Sequence, residues 1–507
     1  MSKLDVLFIS PGNSKRIYQQ LSDKYTTIEP PTWSLLLAES CRSVGYTVAI
    51  CDANAENLNK DEVYSRVESL QPKLVCFVVY GQNVNAGSVN MSGATYLSNH
   101  LKTKTNIPIC YIGSHVQALP HKTLKDEQSI DFAFTNEGVY SLRNILKLDH
   151  IDNNTIKNIK GIVRREEDKI IINTPEQIVP REKMDTDLPG YAWDLLPYKN
   201  APLDLYRAPM WHAEYDEDKR SPYAAIQTSL GCQFGCDFCM INILNRNDTK
   251  EIGVASDYSF MRYWSPEFII NEFDKLHKLG VYTIKITDEL FLFNKNYYVP
   301  LCENLSKRPY VDKLTMWAYS RIDTVRNPEL LKLVRSAGIK WLALGIESGD
   351  ETVRLEVSKG KFEEVDIKRV VDQIHDADIN VMGNYIFGLP GDSIESMNKT
   401  LNLSIELCTA GWNAYAAMAL PGSKLYKNAL LKGVTLPEKY EEFSFFGEHT
   451  KNLPTDHCTP KEILSFRDAA FSQYHTNPGF LKLIEDRFGI DQVNNIKEMC
   501  EVKLNRA

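Results

Sequence analysis

Thr228-Ser-Leu-Gly-Cys-Gln-Phe-Gly-Cys-Asp-Phe-Cys-Met240 places Cys232, Cys236 and Cys239 at a Cys-x3-Cys-x2-Cys spacing. Three thiolates this close in sequence can wrap one side of an iron–sulfur cube. A four-iron cluster is ordinarily held by four thiolates, and the next cysteine is as distant as Cys302. One iron is therefore expected to stay open for another ligand. The alternatives are a zinc site or three reduced cysteines in a loop. Zinc takes a fourth Cys or His at a characteristic spacing, and none follows closely. Upstream, Ala224-Ala-Ile-Gln-Thr-Ser-Leu230 alternates apolar and polar positions and reads as a strand. Gly231 and Gly235 allow the loop after it to bend tightly.

Working outward, the 507-residue chain is too long for one ordinary domain. It is 43% hydrophobic and 24% charged, the composition of a soluble globular protein. Its net charge of −8 speaks against a nucleic-acid partner. The eleven cysteines show no disulfide rhythm, the N-terminus has no secretory pattern, and no apolar run reaches membrane-spanning length. A reducing cytoplasm is the expected compartment.

The fold expected is α/β, in three parts with a connector. Residues 1–145 alternate strands and helices. Leu4–Ser10, Thr47–Asp52, Leu74–Tyr80, Ile107–Ile112 and Phe132–Phe134 are short apolar runs, the pattern of strands buried on both faces. They predict a doubly wound, Rossmann-like parallel sheet. Ligands of such sheets sit beyond the strands' carboxyl ends. Gly12, Asn13, Gly81, Gly113, Ser114, His115, Glu137 and Gly138 follow those strands. Residues 146–222 read as a linker holding a hairpin over 160–174. Residues 223–430 repeat strand and helix in the manner of a partial (β/α)6 TIM-type barrel. Polar residues recur where its strands end: Asp288-Glu289, Arg321, Glu347 and the Gly388–Asp392 turn. That end of a barrel faces the active site. Residues 431–507 form a C-terminal helical region. Thr459 is its expected first N-cap, with Pro460 at N1, and Asp491 is expected to cap its last helix.

The cysteine spacing resembles the cluster motif of the radical SAM enzymes, with Phe238 at the aromatic position before the third Cys. The resemblance implies a [4Fe-4S] cluster whose open iron is chelated by S-adenosylmethionine (SAM). It further implies that the reduced cluster cleaves SAM to methionine and a 5′-deoxyadenosyl radical. Asp288 and Glu289 fall where the family binds the SAM amino group, and a carboxylate complements an ammonium there. Glu347 falls at the ribose hydroxyls, and Ile386 and Leu389 at the adenine. Arg321 suits the SAM carboxylate or a substrate anion.

Residues 1–145 resemble the cobalamin-binding domain that precedes many radical SAM barrels. Pro30-Pro-Thr-Trp-Ser-Leu35 matches the entry to its first helix, and the Gly113 and Glu137 turns sit at equivalent strand ends. Thr32, Trp33 and Tyr80 join the strand-end residues as candidate cobalamin contacts. The Asp-x-His-x-x-Gly motif that supplies a lower axial His in mutases is missing. A flavodoxin-like domain with another ligand, or with none, is the alternative. The whole resembles a cobalamin-dependent radical SAM enzyme. It implies functionalisation of an unactivated carbon in a metabolite, sugar or lipid precursor, most commonly by C-methylation. A flavodoxin- or ferredoxin-type reductant is implied as partner. Cyclisation or another redox change without methyl transfer, and a non-catalytic iron–sulfur and cobalamin sensor, are the other readings.

Overall fold

The computed structural model describes residues 4–12, 17–80, 84–198, 205–208, 221–325, 327–357 and 365–507. Asn13, Gly81 and residues 209–220 of the aromatic connector lie outside them.

The first sheet holds β1 (Val6–Ser10), β2 (Val48–Asp52), β3 (Leu74–Val78), β4 (Ile109–Ile112), β5 (Phe132–Phe134), β6 (Ile162–Glu166) and β7 (Lys169–Ile172), in the order β2-β1-β3-β4-β5-β6-β7. The first five strands are parallel, in the flavodoxin-like order whose switch point lies between β1 and β3. Alternation along β1 shows why the runs are apolar throughout. Val6 and Phe8 pack in one core with helices Thr32–Arg42 and Val139–Leu146. Leu7 and Ile9 pack in a second core with helices Lys60–Leu70 and Gly87–Lys102. The expected hairpin is present, but it is not free-standing: β6 pairs antiparallel with β5, so the sheet continues past residue 145.

The second sheet is parallel and runs β8 (Tyr223–Ile226), β11 (Thr283–Ile286), β12 (Thr315–Arg321), β13 (Ile339–Glu347), β14 (Asn380–Phe387), β15 (Gly411–Ala416). Among the described residues β8 and β15 do not pair, so the barrel is open on one side. Its residues alternate as a strand must. Ile284, Ala318, Leu342 and Tyr385 face the outer helices, while Lys285, Tyr319 and Asn384 face inward. Ser265 caps the first outer helix, Pro266–Lys278, by accepting from the Phe268 amide at 3.2 Å.

The run Ala224–Leu230 is not one strand. After Ile226 the chain leaves the barrel, and β9 (Ser229–Leu230) pairs antiparallel with β10 (Arg262–Tyr263). Asp288 enforces the break: its carboxylate accepts from the Thr228 amide, the Thr228 hydroxyl and the Ser229 hydroxyl at 2.6–2.7 Å. In the C-terminal region, Thr459 and Glu462 form the capping box of Pro460–His475, which packs against β15. Pro478–Phe488 and Ile490–Glu501 follow. Asp491 sits in the first turn of the last helix rather than capping it, because Gly489, at φ +91°, takes that place.

Candidate functional site

The carboxyl ends of both sheets open into one cavity of about 960 Å³. Its walls come from three parts of the chain: Pro11, Thr32, Trp33 and Tyr80 of the first domain, the three cysteines and the inner face of the barrel, and the C-terminal helices.

The cysteine loop is held from behind. Gly231 has φ +82°, and a Cβ there would lie 2.1 Å from the Phe260 carbonyl oxygen, so only glycine fits. Gly235 has no positive φ; it serves close approach, with Ser256 Cβ 3.0 Å from where its own would stand. Asn242 laces the loop, accepting from the Cys232 amide at 2.7 Å and donating to the Phe234 carbonyl at 3.0 Å. The Phe234 and Ile241 amides each donate to a sulfur, Cys232 Sγ and Cys239 Sγ, at 3.4 Å. Burial pushes the Cys232 thiol up to about 12 and the Cys239 thiol well above its usual range, with Glu289 adding to both. Such thiols ionise when a cationic centre binds them. Among the described residues, no three His, Cys, Asp or Glu side chains converge as ligands of a single metal ion. The three thiols line one cavity, and in a cube each iron takes one thiolate.

Three barrel strand ends bring charge to the same wall. Glu289, Arg321 and Glu347 line the cavity, and Ile386 and Phe238 add apolar surface beside them. Glu347 is one of the non-glycine residues at positive φ, +64°, on a β-bulge where the β13–β14 register slips. Such strain re-aims a side chain and clusters at functional sites. A Cβ at Gly345 would stand 2.5 Å from Glu347 Oε1, so that glycine leaves room for the turned carboxylate. Desolvation raises Glu347 to about 8, against the pull of Arg321, and raises Glu289 to about 7, against the pull of Lys285. Two carboxylates held this unwillingly favour a cationic ligand. Arg321 is already engaged: it grips Asp323 through two bonds of 2.8 and 2.6 Å and lies 3.8 Å from the Phe234 ring centroid. It ties the cysteine loop to the barrel. Asp288 is buried behind the wall on Thr228 and Ser229, raised to about 6 chiefly by burial, and does not line the cavity. Leu389 is fully buried behind Ile386.

At the first sheet, the cavity reaches the β1/β3 switch point through Ser10, Pro11, Asp52, Asn54, Thr32, Trp33 and Tyr80. The Trp33 and Tyr80 rings meet at 5.5 Å, and the buried Trp33 Nε1 has no acceptor among the described residues. An orphaned donor beside two aromatic rings fits a large ligand there. The other described strand-end candidates turn away. Gly12 is packed on Asn54, where a Cβ would meet Asn54 Cα at 2.6 Å. Gly113 abuts the Val79 carbonyl, and Ser114 abuts Gly87. His115 is buried against Tyr440 and Phe443, with Nδ1 2.9 Å from Ser88 Oγ, and burial lowers it to about 4. Gly138, at φ +77°, packs on Ile112. Glu137 makes a fully buried ion pair with Arg262 of β10 at 2.6 Å; Arg262 also donates to the Val179 carbonyl and Asn245. Arg246 adds a bond to the Gln117 carbonyl. These residues form the seam between the sheet and the segment that follows the cysteines.

The sequence reading missed three groups on the cavity wall. Lys285 of β11 pairs with Glu29 of the first domain, both buried. Arg467 of the C-terminal helix donates to the Ala414 carbonyl at 2.9 Å and stands among Phe445, Phe446 and Phe471. Asp52 accepts from the Tyr206 hydroxyl at 3.1 Å and is raised by burial to about 7. The period-2 placement of Lys285 before Glu289 was the available signal for the first.

Residues 226–404, from the end of β8 through the cysteine loop and β11 to β14, match the Radical SAM superfamily, so the chain carries a radical SAM domain. An uncharacterized methyltransferase of Pyrococcus horikoshii is 22% identical over 497 residues, covering 96% of this chain and 95% of that one. The anaerobic magnesium-protoporphyrin IX monomethyl ester cyclase of Cereibacter sphaeroides is 23% identical over 76% of this chain, which spans only 58% of the cyclase. In fold, the chain is similar to TsrM of Kitasatospora setae, a radical S-adenosylmethionine methyltransferase solved with cobalamin and a [4Fe-4S] cluster bound. The TM-score is 0.67 at 14% identity, covering 98% of this chain and 100% of that one.

Proposed function

We propose that this radical SAM protein is a cobalamin-dependent enzyme that functionalises an unactivated carbon of a small molecule, with C-methylation as the outcome. The observation that carries the reading is the shared cavity: three cysteines, a strained carboxylate and the switch point of a flavodoxin-like sheet all face one space. When bound, a [4Fe-4S] cluster, SAM and cobalamin supply reductive SAM cleavage and methyl transfer. Cys232, Cys236 and Cys239 would hold the cluster, with the Phe234 and Ile241 amides tempering the charge on two sulfurs. Glu289 and Glu347 would receive the cationic end and the hydroxyls of SAM. Binding a cation between them favours their ionised forms, so the site releases protons as it fills. Ile386 and Phe238 would exclude water beside the reacting atoms. Thr32, Trp33 and Tyr80 would face cobalamin. A small-molecule substrate agrees with a cavity of about 960 Å³, and a flavodoxin- or ferredoxin-type protein would supply the electron. Among the described residues, no helix is long and apolar enough to cross a membrane.

The cyclase relative favours one second reading, a redox or ring-forming outcome without methyl transfer. An anaerobic assay separates the two. Protein reconstituted with iron, sulfide and cobalamin is given SAM, reductant and candidate substrates. 5′-Deoxyadenosine with S-adenosylhomocysteine is the expected product pair. 5′-Deoxyadenosine alone, with a substrate turned over, supports the redox reading. Cofactor binding with neither product overturns both.

A further inference from the structure

The inner face of the barrel changes character with depth. Glu289, Arg321, Glu347 and Ile386 form the layer at the strand ends. Trp317 lies four residues before Arg321 on β12, and Met382 four before Ile386 on β14. By strand geometry both sit on the same face, roughly 13 Å deeper. There the inner wall is Trp317 and Met382, and past the β15 edge the cavity is lined by Trp412, which shares the outer face with Tyr385, and by Phe471, Phe480 and Met499 of the C-terminal helices. Each indole is fixed from behind, Trp317 stacked on Trp341 at 6.3 Å and 18°, Trp412 on Tyr474 at 5.2 Å and 16°. Both indole N–H groups lack an acceptor among the described residues.

The charges around this limb already have partners. Lys285 holds Glu29. Arg467 and Arg506 both hold Asp468, at 3.1 and 2.9 Å. His475 Nδ1 lies 2.9 Å from the Phe471 carbonyl. Lys503, on the cavity rim, is exposed to solvent. A charged group lodged here would be stripped of water without gaining a countercharge, which costs several kcal/mol. A neutral ring would gain stacking area on rigid aromatic walls.

Resting on the functional reading above, we infer that this limb receives an uncharged, ring-bearing portion of the substrate, and that the carbon to be modified is presented from it to the strand-end layer. The reading of SAM at Glu289 and Glu347 places the occupant beside SAM, not in its place.

Three isosteric probes test this on full-length, anaerobically reconstituted protein: 2-naphthalenemethanol, 2-naphthoate and 2-naphthylmethylammonium. Equilibrium dialysis is expected to show one saturable site for the alcohol, at least about tenfold tighter than for either charged probe. Saturating SAM, without reductant, leaves the alcohol bound. Phe471→Ala and Met499→Glu, on two different helices, each weaken it about fivefold or more and leave binding of labelled SAM unchanged. The inference is overturned if a charged probe binds as well as the alcohol. It is also overturned if SAM displaces the alcohol, which would make the limb the adenine pocket, or if folded variants bind it like the parent. The functional reading fails separately: absence of 5′-deoxyadenosine with the alcohol still bound in the limb removes the chemistry and keeps the pocket.

Discussion

The carboxyl ends of the two parallel sheets obey the same topological rule yet use their polar residues in opposite ways. At the barrel end, Glu289, Arg321 and Glu347 project into the cavity. At the first sheet, His115, Glu137 and the glycines beside them lie in the seam with the neighbouring segment, and of the described residues in that group Thr32, Trp33 and Tyr80 reach open space. A residue just past a strand is near the functional edge of the sheet. Whether it meets a ligand or another domain depends on what packs against that edge. The barrel's strand ends line the cavity, whereas the edge at β4 and β5 is covered by residues 240–262.

The comparison breaks most sharply at the cysteines. Cys236→Ala leaves two thiolates for the cluster, and 5′-deoxyadenosine formation is expected to fall by about two orders of magnitude or more, with iron content falling in parallel. Retention of a full cube by this variant would mean that another residue ligates it. On the seam side, Glu137→Gln strands the Arg262 guanidinium in a fully buried position. Removing one partner of such a pair costs about 3–5 kcal/mol, read as a lowered unfolding midpoint in the protein without SAM. Arg262→Met added to Glu137→Gln should recover part of the loss. If Glu137→Gln instead spares stability and abolishes cobalamin binding, the seam assignment is wrong.

A subtler effect belongs to Glu347. Its pKa of about 8 means the wild-type carboxyl is largely protonated at pH 6.5 and ionised at 8.5. SAM affinity should rise across that interval, and Glu347→Gln should flatten the rise, weakening binding about tenfold at the upper end. The linked stability effect runs the other way. A folded pKa raised above the unfolded value makes a stabilising contribution below about pH 4.5 that is lost as pH rises through 8. Without SAM, the Gln variant should therefore lose less stability than the parent between those values. An unchanged pH profile would remove Glu347 from the site.

Particular residues show what was legible in the chain. The cysteine loop, the strand-end carboxylates and the cap at Ser265 were readable because each rests on neighbours within a few positions. The break in Ala224–Leu230 was not, since it depends on Asp288, some sixty residues away. Glu29–Lys285 and Glu137–Arg262 join residues 256 and 125 positions apart and leave no local pattern at all. For the same reason Asp288 looked like a ligand: its place after a strand was visible, and the hydroxyls that occupy it were not.

His115 gives the smallest effect and the cleanest test of the contrast. If it belongs to the seam, His115→Gln should leave cobalamin affinity within about twofold of the parent, while Tyr80→Ala, on the cavity wall, weakens it more. Glutamine can still bond Ser88, so the fold is preserved. The readout that a ligand role would not predict is stability against pH. His115 is buried neutral, with its pKa lowered to about 4 by burial first and Lys122 second, against the opposing pull of Asp126. Tyr440 and Phe443 cover its ring. Between pH 4 and 6.5 the unfolded chain therefore binds a proton at this residue that the folded protein does not. Stability contributed here is present above pH 6.5 and lost as pH falls toward 4. The Gln variant, with nothing to titrate, should show a shallower acid decline over that window and match the parent's slope above it. A parallel acid limb in both proteins, together with weakened cobalamin binding, would move His115 back to the ligand side.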